Sequence, residues 1–255
     1  GTLAADMELD DVHPSANLHA SSVFFSAALP VAEACGATGK EWITAAVVAY
    51  DVACRLSKAM GDRNQYARGF HPTAICGHFG AAAAAANLLK QDTAAVVSTF
   101  GLTGCQTSGM MTWEQEQEHF TKCFQSGVPA RNAVTAAELA SRGYVGAPDT
   151  LDGKYNVFDT FAGQRNFPPL LEALGSWFEI EHTGFKFYAC CRGIHATLDA
   201  VFELSRKHGL GASDIASIDV WLPDQTVTIV DQSDLTTHNL QHIVSAALHD
   251  GKVHR

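Results

Sequence analysis

Gly69-Phe70-His71-Pro72-Thr73 opens a stretch that passes Gly77 and Phe79-Gly80 and ends in six consecutive alanines, Ala81–Ala86. Proline is well placed at the first position of a helix, where a missing N–H costs nothing. It also pushes the residue before it into extended geometry. The stretch therefore reads as a turn at His71 that leads into a helix. Six alanines leave almost no side-chain bulk, so neighbouring helix axes can come close, as they do in a packed bundle.

Outward from this stretch the chain reads as helix after helix, from about residue 20 to residue 145. The clearest spans Gly39 to Met60. Thr38 and Glu41 form a T-x-x-E capping box before it and Gly61 stands where a closing glycine belongs. Asp92 reads as the N-cap of a helix reaching Ser108, and Pro129 as the first residue of a helix closed by Gly143. Residues 144–184 are rich in proline and glycine and read as loops with short helices. A further helix is expected from about Gly193 to His208, ended by Gly209, and a last one from Thr236 to His249. Between these two, Ile215–Leu222 alternates and is β-branched, as is Val227–Val230, so both read as strands. The fold class is mainly α: a large all-helical domain over 1–211, then the start of a smaller α+β lid over 212–255.

Composition narrows the function classes. Of 255 residues, 47% are hydrophobic and 17% charged, which supports a sizeable core and argues against disorder. The formal net charge is −10, whereas a nucleic-acid surface needs clustered cations. An acidic protein that binds an anion must gather its few cations locally. The seven cysteines show no CxxC pair, and free thiols fit a reducing compartment, so a cytoplasmic location is the expectation. No apolar run reaches the ~18 residues of a membrane helix. There is no glycine-rich dinucleotide loop, no GxxxxGK[ST] and no GxSxG, so no cofactor is expected.

Four segments carry candidate chemistry. Glu8-Leu9-Asp10-Asp11-Val12-His13 packs carboxylates beside an imidazole, and His19 follows in Leu18-His19-Ala20-Ser21. Such a cluster can be an acid–base pair, a metal site or a solvated helix start. His71, ahead of Pro72, sits where a helix N-terminus favours anions, though a capping histidine looks the same. Lys122 lies among small and apolar residues after the acidic stretch Glu114 to Glu118, and is either a carboxylate-binding lysine or a surface one. Phe185-Lys186-Phe187-Tyr188 places a lysine between aromatics, with Cys190-Cys191-Arg192 and His195 close behind.

Taken in order, these segments resemble the MmgE/PrpD family, which includes 2-methylcitrate dehydratase, cis-aconitate decarboxylase and iminodisuccinate epimerase. The likeness is carried by Glu8-Leu9-Asp10-Asp11 with Leu18-His19-Ala20-Ser21, then Pro30 and Ala32-Glu33. It continues in Gly69-Phe70-His71-Pro72-Thr73 with Gly77 and Phe79-Gly80-Ala81-Ala82. Lys122, Gln125, Gly127, Ala130 and Arg131-Asn132 follow, and Lys186, Tyr188, Cys190 and His195 complete it. The resemblance implies a helical domain and an α+β lid with the site in the cleft between them, and a homodimer. It implies His19, His71, Lys122 and Lys186 as catalytic residues. Glu8, Asp10, Asp11, Thr73, Gln125, Arg131, Tyr188 and His195 would bind substrate or support the site. Val12 stands where many members have Thr, and Gln125 where several have His. The family's chains extend beyond both ends of this sequence, so both domains are expected to be incomplete.

The implied activity is that of a cofactor-independent lyase acting on a small di- or tricarboxylate, with no metal. Dehydration of a 2-methylcitrate-like acid stands first, cis-aconitate decarboxylation or iminodisuccinate epimerisation second. Lysines would clamp carboxylates while histidines exchange protons beside them. Two rivals come from other classes: a metal-dependent hydrolase built on Asp10, Asp11, His13 and His19, and a non-catalytic remnant that binds partners.

Overall fold

A computed structural model describes residues 1–253. It is mainly α-helical, and among the described residues β pairing is confined to isolated bridges such as Phe70 with Met110 and Val12 with Gly184. The chain divides into two compact units. The first comprises Gly1–Ala5, Asp10–Met111 and Lys122–Gly184; the second comprises Asp6–Leu9, Thr112–Thr121 and the chain from Phe185 onward.

In the first unit the helices are α1 (Thr2–Ala5), α2 (Ser21–Cys35), α3 (Gly39–Met60), α4 (Asp62–Ala67), α5 (Pro72–Leu88), α6 (Thr93–Gly104), most of α7 (Phe120–Ser141), α8 (Val157–Phe161) and α9 (Pro168–Leu171). Their ends follow local chemistry. Thr38 and Glu41 form the capping box of α3, with Glu41 Oε2 accepting from Thr38 N at 2.8 Å. Asp92 caps α6 through Ala95 N at 2.9 Å. Pro72 begins α5, as its position in the sequence predicts. Pro129 behaves differently: instead of opening a helix it lies inside α7, which runs unbroken from Phe120 to Ser141. It is buried there near Gly77 of α5, where a Cβ would stand in ordinary contact with the Pro129 Cβ at 3.8 Å.

Helix α5 is the centre of this unit. From Pro72 to Ala86 every residue is buried, and α2, α3 and α6 all pack on it. The alanine run thus does what its small volume allows. At Gly80 the approach is closest: an added Cβ would lie 2.6 Å from Phe24 Cε1, 2.7 Å from the Ala49 carbonyl oxygen and 2.8 Å from Ala53 Cβ. On the far side of α3, the buried Arg55 guanidinium donates to the carbonyls of Glu172 at 2.6 Å and Trp177 at 2.9 Å. Asp51 accepts from Glu179 N at 2.8 Å and Lys58 pairs with Glu179 at 2.7 Å, so one face of α3 holds down the segment 172–179.

The second unit has its own core, in which Ile194, Leu198 and Val201 of α10 (Arg192–His208) pack with Val230 of α11 (Asp224–Val230) and with Ile243, Val244 and Ala247 of α12 (Leu240–Asp250). Gly209, at φ 65°, ends α10 as its sequence position foretells. The two strands read from the sequence do not form. Ile215–Leu222 has no ladder partner among the described residues, and alternation alone cannot hold a strand. Val227–Val230 is instead the end of α11, which Pro223 and Asp224 start in helical register. The last helix begins at Leu240, capped by Asn239, after a 3₁₀ turn over Thr236–His238. Residue 212, the expected first residue of the second domain, lies inside this unit.

Two stability outcomes follow from α5. Gly80→Ala is expected to cost about 1–3 kcal/mol through overpacking, read as a melting temperature several degrees lower; an unchanged value would mean that these helices do not meet there. His78 is fully buried on the same helix and its pKa is lowered from 6.5 to about 4, chiefly by burial. The folded protein keeps this imidazole neutral while the unfolded chain protonates it, so its contribution is complete above pH 6.5 and is lost as pH falls toward about 4. His78→Asn should flatten the fall of unfolding free energy across that window by about 1.4 kcal/mol per pH unit, measured by urea titration. An identical slope in variant and wild type would refute the assignment.

Candidate functional site

The loop before α2 is held in place by side chains that cannot themselves face a ligand. Asp11 accepts from Ser21 N at 2.7 Å and from the buried Tyr50 hydroxyl at 2.5 Å. His13 pairs with Glu179 at 3.0 Å, and its Nδ1 accepts from Ala16 N at 3.1 Å. With those four atoms committed, Asp11 and His13 do not join Asp10 and His19 in a common ligand set. The metal-hydrolase rival thereby loses half of its residues.

Asp10 and His19 stay together: His19 Nδ1 lies 3.0 Å from Asp10 Oδ2. The backbone of His19 is tied to α5, because its N–H donates to Thr73 Oγ1 at 3.1 Å. Thr73, expected to bind substrate or support the site, helps to locate His19 in this way. The His71 ring lies 6.4 Å from that of His19, centroid to centroid. His71 is the N-cap residue of α5, with extended backbone and N–H donating to the Gly109 carbonyl at 2.9 Å. Gly109, at φ 154°, is required here, since a Cβ would collide with Ala74 Cβ at 2.3 Å.

Helix α7 supplies the remaining members of this group. Lys122 and Gln125 are three residues apart and so project from one face. Gln125 Oε1 is 3.1 Å from His71 Nδ1, and Lys122 is buried despite its charge. His71 itself is held down to about pKa 3, first by burial and then by the positive fields of His19 and Lys122. A neutral imidazole, a carboxylate-paired imidazole and a buried ammonium are therefore gathered in the first unit. Arg131 is not among them: it donates to Asn132 Oδ1 at 3.0 Å, and Asn132 in turn meets His78 Nε2 at 3.3 Å.

The second unit holds a separate cluster. Glu8 is buried and adopts φ 49°, and its carboxylate bridges Lys186 and His119, with the His119 contact at 2.7 Å. Phe185 and Phe187 are turned outward while Lys186 is buried between them. The His119 ring lies 6.1 Å from the buried His238 ring, which packs on Trp113 at 5.5 Å. Tyr188 and His195 lie apart from this cluster's hydrogen bonds: the Tyr188 hydroxyl donates to Asp199 at 2.6 Å and its ring packs edge-on against His195 at 5.1 Å. His119 and His238 escaped the reading of the sequence. His119 follows a Glu- and Gln-rich run that looks solvated, and His238 lies 119 positions further on with no motif around it.

Cavity volume is a poor guide here. Cavities of about 520 and 450 Å³ are lined mostly by apolar residues, such as Ile215, Val227 and Val244 in one and Phe100, Leu151 and Phe167 in the other. Neither is lined by His19, His71, Lys122 or Lys186. The titratable clusters mark the chemistry better. No helix among the described residues is long and apolar enough to cross a membrane.

The chain is 30% identical over 222 residues to the cis-aconitate decarboxylase-like protein oryM of Aspergillus oryzae, covering 82% of this chain and 46% of that protein. It is 29% identical over 213 residues to a cis-aconitate decarboxylase of Aspergillus terreus, covering 79% of this chain and 43% of the relative. The chain thus spans about half the length of the curated relatives it matches. The MmgE/PrpD N-terminal domain matches residues 1–170 and the MmgE/PrpD C-terminal domain residues 188–255, and on these matches the chain belongs to the MmgE/PrpD family.

Proposed function

We propose that this protein is a cofactor-independent lyase that breaks a bond at a carbon beside a carboxylate of a small di- or tricarboxylic acid. One observation carries the reading: buried, neutral His71 stands 6.4 Å from His19, which is paired with Asp10. Two imidazoles in unlike environments divide the labour of proton transfer. Where the reaction removes a proton beside the carboxylate, His71, neutral at physiological pH, is the base that takes it. His19, with its Nδ1 3.0 Å from the Asp10 carboxylate, is the group proposed to give up a proton. Lys122 supplies positive charge where the reacting carboxylate builds negative charge.

Decarboxylation of a cis-aconitate-like acid is placed first, because the relatives described above carry that name. In that reaction the C–C bond to the departing CO₂ breaks, its electron pair moves into the adjoining double-bond system, and carbon is protonated by His19. Dehydration of a citrate-like acid is the second reading, favoured by the presence of both a base and an acid. There His71 removes the proton beside the carboxylate and His19 protonates the departing hydroxyl, so that water leaves. Lys186 is proposed as a second carboxylate-binding cation on family resemblance, and a homodimeric state on the same ground.

Incubation with cis-aconitate, citrate and 2-methylcitrate, with products identified by NMR, separates the readings. Release of CO₂ with an unsaturated dicarboxylate supports the first, loss of water supports the second, and no turnover on any of these acids overturns both. His71→Ala should lower turnover by about 10²–10⁴-fold with the fold retained; near-normal turnover in a folded variant would remove His71 from the chemistry. Lys122→Met should raise KM about ten- to a hundredfold, as loss of a charge-assisted hydrogen bond would. An unchanged KM would remove Lys122 from substrate binding.

A further inference from the structure

The side-chain amide of Gln125 is held at both ends. Its Nε2 donates to the Met110 carbonyl oxygen at 2.6 Å, and its Oε1 lies 3.1 Å from His71 Nδ1. The orientation is dictated by chemistry. A backbone carbonyl can only accept, so the amide end that faces Met110 must be the NH₂ group, and the end that faces His71 must be oxygen. The Met110 carbonyl is itself located against His71. Phe70 and Met110 form an antiparallel bridge, His71 N donates to Gly109 O at 2.9 Å and Met111 N donates to Gly69 O at 2.9 Å. The backbone that anchors the amide and the backbone that carries the imidazole are therefore one small rigid piece.

An amide oxygen has no proton to give, so the 3.1 Å contact requires the proton to be on His71 Nδ1. We propose that Gln125 is a positioning residue that locks neutral His71 in the Nδ1–H tautomer, so that the lone pair which takes the substrate proton is on Nε2. This is the reverse of the tautomer that free histidine prefers in water, so without a dedicated acceptor at Nδ1 it would not be the resting form. The inference deepens the proposed function and rests on it only for the catalytic consequence. The sequence offered Gln125 as a substrate-binding or supporting residue; the geometry assigns it to the imidazole instead.

The direct test is long-range ¹H–¹⁵N correlation spectroscopy on the ¹⁵N-labelled full-length protein at neutral pH, with His71 assigned from the signals missing in His71→Gln. The expected pattern is a pyrrole-type Nδ1 and a pyridine-type Nε2. The opposite pattern, or an averaged one, overturns the proposal, and this measurement needs no substrate and no active enzyme. Two variants extend it. Gln125→Glu keeps an acceptor at Nδ1, so it should keep the tautomer while its negative charge moves the acid limb of the kcat–pH profile upward. Gln125→Leu removes the acceptor, so it should release the tautomer and lower kcat by at least about tenfold with KM little changed. An Nδ1–H signal that persists in the leucine variant overturns the lock. If that variant does not fold, the wild-type spectrum decides alone. A protein with the expected spectrum but no turnover on the acids named above would sink the functional reading and leave the lock standing.

Discussion

The first unit depends on how closely α2 and α3 can come to α5. Gly80 and the alanines after it allow contacts that one additional methyl group would block. Close-packed interiors transmit small displacements instead of absorbing them. That matters for the chemistry, because α5 is also the gauge against which the imidazoles are set. His71 is its N-cap residue, and Thr73 in its first turn holds the backbone of His19. A helix with no loose face fixes both imidazoles on one scaffold, which is the precision that the proposed acid–base chemistry requires.

Charge is handled in the same economical way in both units. In the first, Asp10 lies against His19, while His71 is held neutral chiefly by its burial. In the second, the buried Glu8 carboxylate is shared between the buried ammonium of Lys186 and the partly buried imidazole of His119. An acidic protein of net charge −10 can hold cations in such places only by burying them beside chosen partners.

Much of the helical architecture was legible because its signals are local. The Thr38–Glu41 box, Pro72 at a helix start and Gly209 at a helix end each act within one turn of chain. The reading went astray where long-range packing decides. Pro129 is buried inside α7 near Gly77, more than fifty positions earlier, and the β-branched run after Ile215 has no strand to pair with among the described residues. The site divides along the same line. His71 stood out because Pro72 constrains it, and His19 because of its acidic neighbours. That Thr73 serves His19 and that Gln125 serves His71 could not be read, since both are contacts across 54 positions. His119 and His238 became visible only when the fold brought them onto Trp113 and Glu8.

The staple on α3 has a consequence for how the chain reaches this state. Arg55, Asp51 and Lys58 hold residues that lie 117–128 positions further along, at Glu172, Trp177 and Glu179. Contacts of such separation close large loops, and they are made slowly compared with the turns of neighbouring helices. Glu179 is also the partner of His13, at the start of the loop that leads to His19. The loop that leads to His19 is tied to α3 and α5 through Asp11 and Thr73, and its contact with Glu179 is added when the 172–179 segment is in place. The proposed site therefore leans, through His13 and Glu179, on a segment more than 150 positions away in the chain.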